Sequence, residues 1–329
     1  MIVAATVILA VVFLLPLIAR LGDGNSDAGP PLAAFSPAAA VVAIAATVLA
    51  FWVVWWLVIV LAIPTVFLVA WQLPPPRLPR RASSPRSASE SAAPATVTVR
   101  VLTLNALHGR ADTADLVSLL ASLSPDVLAV QELTPELAAS LTEAGVADVL
   151  PVSYLEPWNG PNGIGLWSRW PLTKLPPVPG TRRQMIRAEL NIGWPLTVTV
   201  VHTAAPVGGR QPIWKQDMEQ LRGALAETVG HQIVAGDFNA TRDHKEFRRL
   251  LATGLADSAD AALRRQWPAF TWPTNKWYPP VMRLDHILVT RAGATVRECR
   301  TVAVPGSDHL GVLAVIELRA PEAAGQDAT

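Results

Sequence analysis

Between Asp27 and Arg77 the chain carries no charged residue. As one helix this stretch would be on the order of 70 Å long, roughly twice the hydrocarbon thickness of a bilayer, so two crossings fit it better than one. Ile2 to Ala19 is also free of charge, and Arg20 ends that run. Three membrane helices are therefore predicted, over about 2–20, 32–50 and 53–72. Trp52, Trp55 and Trp56 would sit at headgroup level in a tight hairpin between the second and third. The alternative is one long second helix broken near Pro64. A cleavable signal peptide is a poor match, because nothing basic precedes the first apolar run and further spans follow it. Arg77, Arg80, Arg81 and Arg86 follow the last span, which by the positive-inside rule predicts a multi-pass protein of the cell membrane with its remaining domain in the cytoplasm. An Ala/Ser/Pro tether of this kind also suits an extracellular stalk.

The anchor accounts for a composition that is 51% hydrophobic and only 16% charged. Residues 74–95, rich in Pro, Ser, Ala and Arg without periodicity, read as a linker. Residues 96–319 read as one folded domain, and residues 320–329 as a disordered tail. Of the 27 Lys and Arg and the 26 Asp and Glu, five and three precede Thr96, so the domain is nearly neutral. That argues against broad electrostatic capture of DNA while leaving room for a local basic patch. A single cysteine, Cys299, excludes an internal disulfide framework and thiolate metal clusters.

Within the domain, apolar strand-like runs repeatedly end in a polar residue. Thr96 to Asn105 alternates β-branched and polar residues and ends in an amide. Asp112 or Thr113 caps a helix that Ser124-Pro125-Asp126 stops. Val127 to Glu132 is continuously apolar until Gln131 and ends in an acid. Leu196 to Thr203 reaches His202, and a helix over about 213–228 leads into Ile233-Val234-Ala235-Gly236-Asp237-Phe238-Asn239. On a strand, Asp237 and Asn239 point the same way. Arg283-Leu284-Asp285-His286 opens a further strand, and Gly306-Ser307-Asp308-His309 precedes the last one. A polar group at the end of a buried strand is costly unless something binds it. These residues are therefore expected to share a target.

Asn105, Gln131-Glu132, Ser168-Arg169 with Pro171, His202, Gly236-Asp237-Phe238-Asn239, Arg283-Leu284-Asp285-His286 and Gly306-Ser307-Asp308-His309 occur in the order found in the endonuclease/exonuclease/phosphatase superfamily, which the chain resembles over roughly residues 96–319. That group includes DNase I, apurinic/apyrimidinic endonucleases, neutral sphingomyelinases and inositol polyphosphate 5-phosphatases. The resemblance implies an α/β fold, a four-layer sandwich of two packed mixed sheets with helices outside. It also implies hydrolysis of a phosphodiester or phosphomonoester by metal-assisted attack of water.

The residue types suit that chemistry, since a phosphodiester is anionic and its hydrolysis needs charge neutralisation and an oriented water. Glu132, with Asn105 and Asp308, is the expected metal set. All-oxygen ligation favours Mg²⁺, or Mn²⁺, over zinc. His309 paired with Asp285 would be a general base or act on the phosphate. By resemblance, Asp237 orients the attacking water, Asn239 binds a phosphate oxygen, and His202 binds phosphate or protonates the leaving group. The structural alternatives are a salt-bridged Glu132, an Asp285 that pairs with Arg283, and a His202 that is a satisfied buried histidine. His108 and His286 read as packing or supporting groups, and Ser168 and Arg169 as supports of the site. Trp267, Trp272 and Trp277 either line the cleft or bury an edge of the sandwich. Nucleic acid and phospholipid headgroup both remain open as substrate, the bilayer is the expected partner of the N-terminal helices, and no protein partner is expected. The competing reading from another class is a catalytically inactive, membrane-tethered binding module of the same fold.

Overall fold

The computed structural model describes residues 15, 18, 34–35, 39–44, 55–72, 95–266 and 268–321. Residues 74–94 of the linker, Trp267 and residues 322–329 lie outside the described residues, as do most of the first two expected membrane spans. The third coincides with helix α1 (Trp55–Gln72), which contains Pro64. Its 18 described residues extend about 27 Å at the α-helical rise. Among the described residues no helix is long and apolar enough to cross a membrane. Ala40 and Ala43 of the helical stretch 39–44 pack on Leu68 of α1.

The domain is built as the alternation predicts. Strand β1 (Thr96–Asn105) pairs in parallel with β2 (Val127–Gln131). Helix α2 (Thr113–Leu123) connects them, its N-terminus capped by the Asp112 carboxylate, which accepts from the Asp115 amide at 2.9 Å. Helices α3 (Pro135–Glu143) and α4 (Val146–Val149) follow, then β3 (Val152–Glu156), β4 (Ile164–Ser168), β5 (Leu172–Leu175), β6 (Arg187–Asn191) and β7 (Pro195–His202). Helix α5 (Gln211–Glu227) leads into β8 (His231–Asp237), with α6 (Lys245–Leu251), β9 (Leu255–Asp257) and α7 (Ser258–Ala261) after it. The chain ends in β10 (Arg264–Arg265), β11 (Asp285–Thr290), β12 (Ala294–Val302) and β13 (Gly311–Arg319).

These strands form two mixed sheets, ordered β10-β12-β13-β1-β2-β4-β3 and β5-β6-β7-β8-β11-β9. Side chains alternate across each strand, so each sheet has an inner and an outer apolar face. Val99, Val101, Val127 and Ala129 of the first sheet share one core with Val198, Val200, Ile233, Ala235 and Ile287 of the second. The outer face of the first sheet is covered through Leu116 and Leu120 of α2 and Leu137 and Leu141 of α3. Trp214, Met218 and Leu221 of α5 and Phe247 of α6 cover the second. Four layers result, the architecture the resemblance implies.

Candidate active site

Strand register assembles the site. In the second sheet His202 stands beside Asp237 across the parallel pair β7–β8, and Asp237 stands opposite Asp285 across the antiparallel pair β8–β11. The three form one row. Counting along each strand places them in phase with Val200, Ala235 and Ile287, so they project between the sheets. From the first sheet, Asn105 is in phase with Val101 and faces them. Its amide donates to Asp237 Oδ2 at 3.0 Å and to Glu132 Oε1 at 3.3 Å, bridging the two sheets.

Glu132 reaches that place through a break in the alternation. Continued extension would send it to the outer face with Leu128 and Val130, but its φ of 58° ends the pleat. Glu132 Oε2 accepts from the His108 amide at 2.7 Å, and the half-exposed His108 ring lies 3.3 Å away, so His108 borders the site. A second departure is at Asn239. β8 stops at Asp237, and Asn239 has a φ of 45° in a turn where its amide N–H donates to Asp237 Oδ1 at 2.8 Å. The turn, rather than a shared strand face, brings the two side chains together. Asn239 Nδ2 donates to the Thr203 carbonyl at 3.1 Å and lies 3.3 Å from Asp237 Oδ2.

Gly236 is required where β7 and β8 come closest to the turn. A Cβ on it would lie 2.0 Å from the Val201 carbonyl oxygen. Ser307 ties the final motif to the first sheet, donating to the Asn105 carbonyl at 2.6 Å and accepting from the His309 amide at 3.0 Å.

His309 Nδ1 meets Asp285 Oδ2 at 2.8 Å, and both groups are buried. Burial alone would lower the His309 pKa, but the charge and hydrogen bond of Asp285, with Asp237 and Asp308, outweigh it and raise the ring to about 10. At that value the cationic ring predominates at neutral pH, which suits a partner for an anion. In Asp237 it is the neutral carboxyl that is favoured: burial first, then the Asp285 charge, raise it to about 6 against the opposing pull of His309, the Asn239 N–H and Asn105. His202 is held well below its ordinary value by burial, then by Arg183 and His309, although the Pro161 carbonyl opposes this. It lies 3.7 Å from both Glu132 Oε1 and Asp237 Oδ2, contacts that a neutral ring makes without forming an ion pair.

Arg183, on the loop before β6, was not singled out in the sequence because that loop has no periodicity. Its Nη1 lies against both ring nitrogens of His202, 3.1 Å from Nδ1. Burial lowers its pKa, while the charges of Asp237 and Glu132 favour its cation.

The structure resolves the alternatives for several residues. Arg283 pairs with Asp257 and Asp260 at 3.3 and 3.1 Å, while Asp285 holds His309. Ser168 and Arg169 do not support the site. The register Val127↔Ser168 puts them at the opposite end of β2 from Glu132, where Arg169 pairs with Asp126. Trp272 Nε1 donates to Asp308 Oδ2 at 3.2 Å, so Trp272 lines the site. Trp277 is 95% exposed at the tip of the same loop, buries no edge, and stacks edge-on with Tyr278.

Asp237, Asp285 and His309 each present a ligand atom within 4.8 Å of the others. His309 Nδ1 is taken by Asp285 Oδ2, and most of the other donors around it are carboxylate oxygens. Asp285 Oδ1 is buried with no hydrogen-bond partner among the described residues, and Glu132 and Asp237 converge on one Asn105 amide. This oxygen-rich, anionic set fits a hard divalent cation. Of the expected metal residues, Asn105 and Glu132 are brought together. Asp308 joins the site through His309, its Oδ1 3.9 Å from His309 Nε2.

A sequence profile described as the Endonuclease/Exonuclease/phosphatase family matches residues 102–309. No curated protein matches the chain. Among solved structures, a humanized D. rerio TDP2 superposes with a TM-score of 0.54 at 20% identity, covering 67% of this chain and 98% of that one. D. rerio TDP2 complexed with single strand DNA product gives the same values. A variant of the 3' phosphatase NExo from Neisseria, bound to product DNA hairpin, gives 0.51 at 21% identity over 66% and 98%.

Proposed function

The chain belongs to the Endonuclease/Exonuclease/phosphatase family, hydrolases of phosphoester bonds, and from that premise we propose that it hydrolyses phosphodiesters of nucleic acid with a divalent metal ion, Mg²⁺ before Mn²⁺. The observation that carries this reading is the row His202–Asp237–Asp285 with His309 fixed on Asp285 and Asn105 and Glu132 opposite. Glu132 and Asn105, with Asp308, would hold the ion, which when bound neutralises phosphate charge and orients water.

The other roles belong to the chain's own residues. A carboxyl raised to about 6, as Asp237 is, is matched to accept a proton from water near neutral pH. Asn239 and Asn105 fix its orientation through the bonds described above. The cationic His309, whose Nδ1 is taken by Asp285, would use Nε2–H to stabilise the growing charge on the phosphoryl oxygens as the P–O bond to the leaving group breaks. His202 is neutral, which suits a hydrogen-bond donor to phosphate better than an acid. Arg183 adds a second cation on that side.

Support for a nucleic acid comes from the rim. Trp158, 61% exposed, sits on the loop whose backbone bonds Leu133 beside Glu132, and Trp277 with Lys276 sits on the loop bonded to Asp308. Exposed aromatic and cationic groups on loops that border a phosphate site suit bases stacked beside a backbone. The DNA products in the TDP2 and NExo structures agree with it. A lipid headgroup is the second reading, favoured by Ile63, Val66 and Phe67, which α1 exposes without a charged neighbour; these also support a bilayer attachment of the N-terminal segment. The test is full-length protein with Mg²⁺ against bis-p-nitrophenyl phosphate, single-stranded oligonucleotides and phospholipid vesicles. Cleavage of oligonucleotides is expected. Cleavage of phospholipid alone would overturn the substrate, and no cleavage of any phosphoester would overturn the reaction.

A further inference from the structure

Directly behind the catalytic row lies a second buried histidine. His286 follows Asp285 on β11, so its side chain projects to the outer face, against Phe247 with ring centroids 4.2 Å apart and edge-on to Phe238 at 5.6 Å. Each ring nitrogen faces an acceptor. Nδ1 is 2.7 Å from Asp257 Oδ2, and Nε2 is 2.9 Å from the Ala240 carbonyl and 3.1 Å from the Arg283 carbonyl. Arg283 binds the same Asp257 carboxylate at 3.3 Å, and Asp257 also caps α7 through the Ala259 amide at 3.0 Å.

The Ala240 carbonyl belongs to the turn that carries Asn239. That turn holds Asn239 at a φ of 45°, in the left-handed region that asparagine tolerates better than most residues, so its exact setting depends on the groups that hold it. From the site side it is held by the Asn239 N–H on Asp237. On the side away from the site, His286 grips it one residue later. We infer that His286 is a positioning residue for the reaction: through the Ala240 carbonyl it fixes the Asn239 turn, and thereby the orientation of the Asp237 carboxylate that Asn239 serves. On β11 it is also next to Asp285, so the strand that carries that carboxylate is tied to the Asp257 and Arg283 contacts. The catalytic arm of this inference rests on the phosphodiesterase reading. The positional arm does not.

The test uses full-length protein carrying His286→Phe, which keeps the ring volume but removes both hydrogen bonds, and His286→Gln, which is long enough to keep a donor on the Ala240 carbonyl. Amide hydrogen exchange over 238–242 should accelerate in His286→Phe at least about tenfold and stay near wild type in His286→Gln. With bis-p-nitrophenyl phosphate and Mg²⁺, His286→Phe should lower kcat about 10- to 100-fold, as misplacement of a reacting group does, with KM within about twofold. His286→Gln should restore most of it. In an Asn239→Ala background the same His286→Phe change should alter kcat less than about twofold, because its effect is already lost. If His286→Phe does not fold, His286→Asn, too short to reach the carbonyl, replaces it in every arm. Unchanged exchange over 238–242 overturns the inference, as does a full additive loss of kcat in the Asn239→Ala background. If the wild type hydrolyses nothing, the reaction assignment has failed and the exchange arm still decides the position of the turn.

Discussion

Replacing Asp285 with Asn leaves the shape of the His309 pair and removes the charge that holds the ring protonated. His309 rises from an ordinary 6.5 to about 10 because Asp285, Asp237 and Asp308 outweigh burial. At about 1.4 kcal/mol per pKa unit, this corresponds to an order-of-magnitude preference of about 5 kcal/mol for the imidazolium. Asp285 supplies the largest favourable part of that preference through its charge and the 2.8 Å hydrogen bond. Without it, burial prevails and the ring falls toward or below 6.5, neutral at pH 7.5. Because the folded pKa is the higher one, the cationic ring stabilises the fold fully below 6.5, and its contribution is lost as pH rises through about 10. Imidazole ¹⁵N shifts of the metal-free protein between pH 5 and 10.5 read the ring directly. The wild-type ring should remain doubly protonated to about pH 10, and the Asp285→Asn ring should be neutral at pH 7.5. Hydrolysis at pH 7.5 with Mg²⁺ should fall by about 10²- to 10⁴-fold. A variant ring still cationic at pH 7.5, or a rate within twofold of wild type, would refute the reasoning.

Three further outcomes are expected. Gly236→Ala forces a Cβ to within 2.0 Å of the Val201 carbonyl, so chemical denaturation should show a loss of about 3 kcal/mol or more. Asp237, raised to about 6, must ionise to accept a proton, so rates measured from pH 4.5 to 8 should rise through an acid limb at or below about 6. The same raised carboxyl favours the fold fully below 3.8, and that contribution is lost as pH rises through about 6. Arg183→Gln removes the cation that lies on His202, and kcat/KM should drop about 10- to 100-fold, the worth of one charged hydrogen bond.

Most of the site was legible because its residues end strands, and a polar residue at the end of an apolar run stands out without a structure. Asn105, His202 and Asp237 are of this kind, Asp285 opens its strand instead, and strand register alone sets the last three in a row. What the sequence could not show is what the backbone does after a strand ends. The positive φ at Glu132 and Asn239 decides where those side chains go, and neither is a glycine that would mark such a bend. Arg183 was hidden for a related reason: it lies on an aperiodic loop, and only the folded β5–β6 connection carries it to His202. Ser168 misled because motif order says nothing about which end of a strand a residue occupies. β12, overlooked in the sequence, carries Arg297, Glu298 and Arg300 among short apolar residues, which masks its alternation. The N-terminal apolar run was conspicuous by its lack of charge. Its described helix, α1, covers 18 residues of that run, and among the described residues no helix is long and apolar enough to cross a membrane.

The central claim is that Glu132 and its neighbours hold a divalent ion in a phosphodiester-cleaving site. It is tested most directly by the initial rate of bis-p-nitrophenyl phosphate hydrolysis by the purified full-length chain and by its Glu132→Ala variant, each with Mg²⁺ and with excess EDTA. The account predicts Mg²⁺-dependent turnover in the wild type that EDTA abolishes, and background rates for Glu132→Ala under both conditions. Wild-type turnover that survives EDTA, or Glu132→Ala turnover equal to wild type, would contradict it.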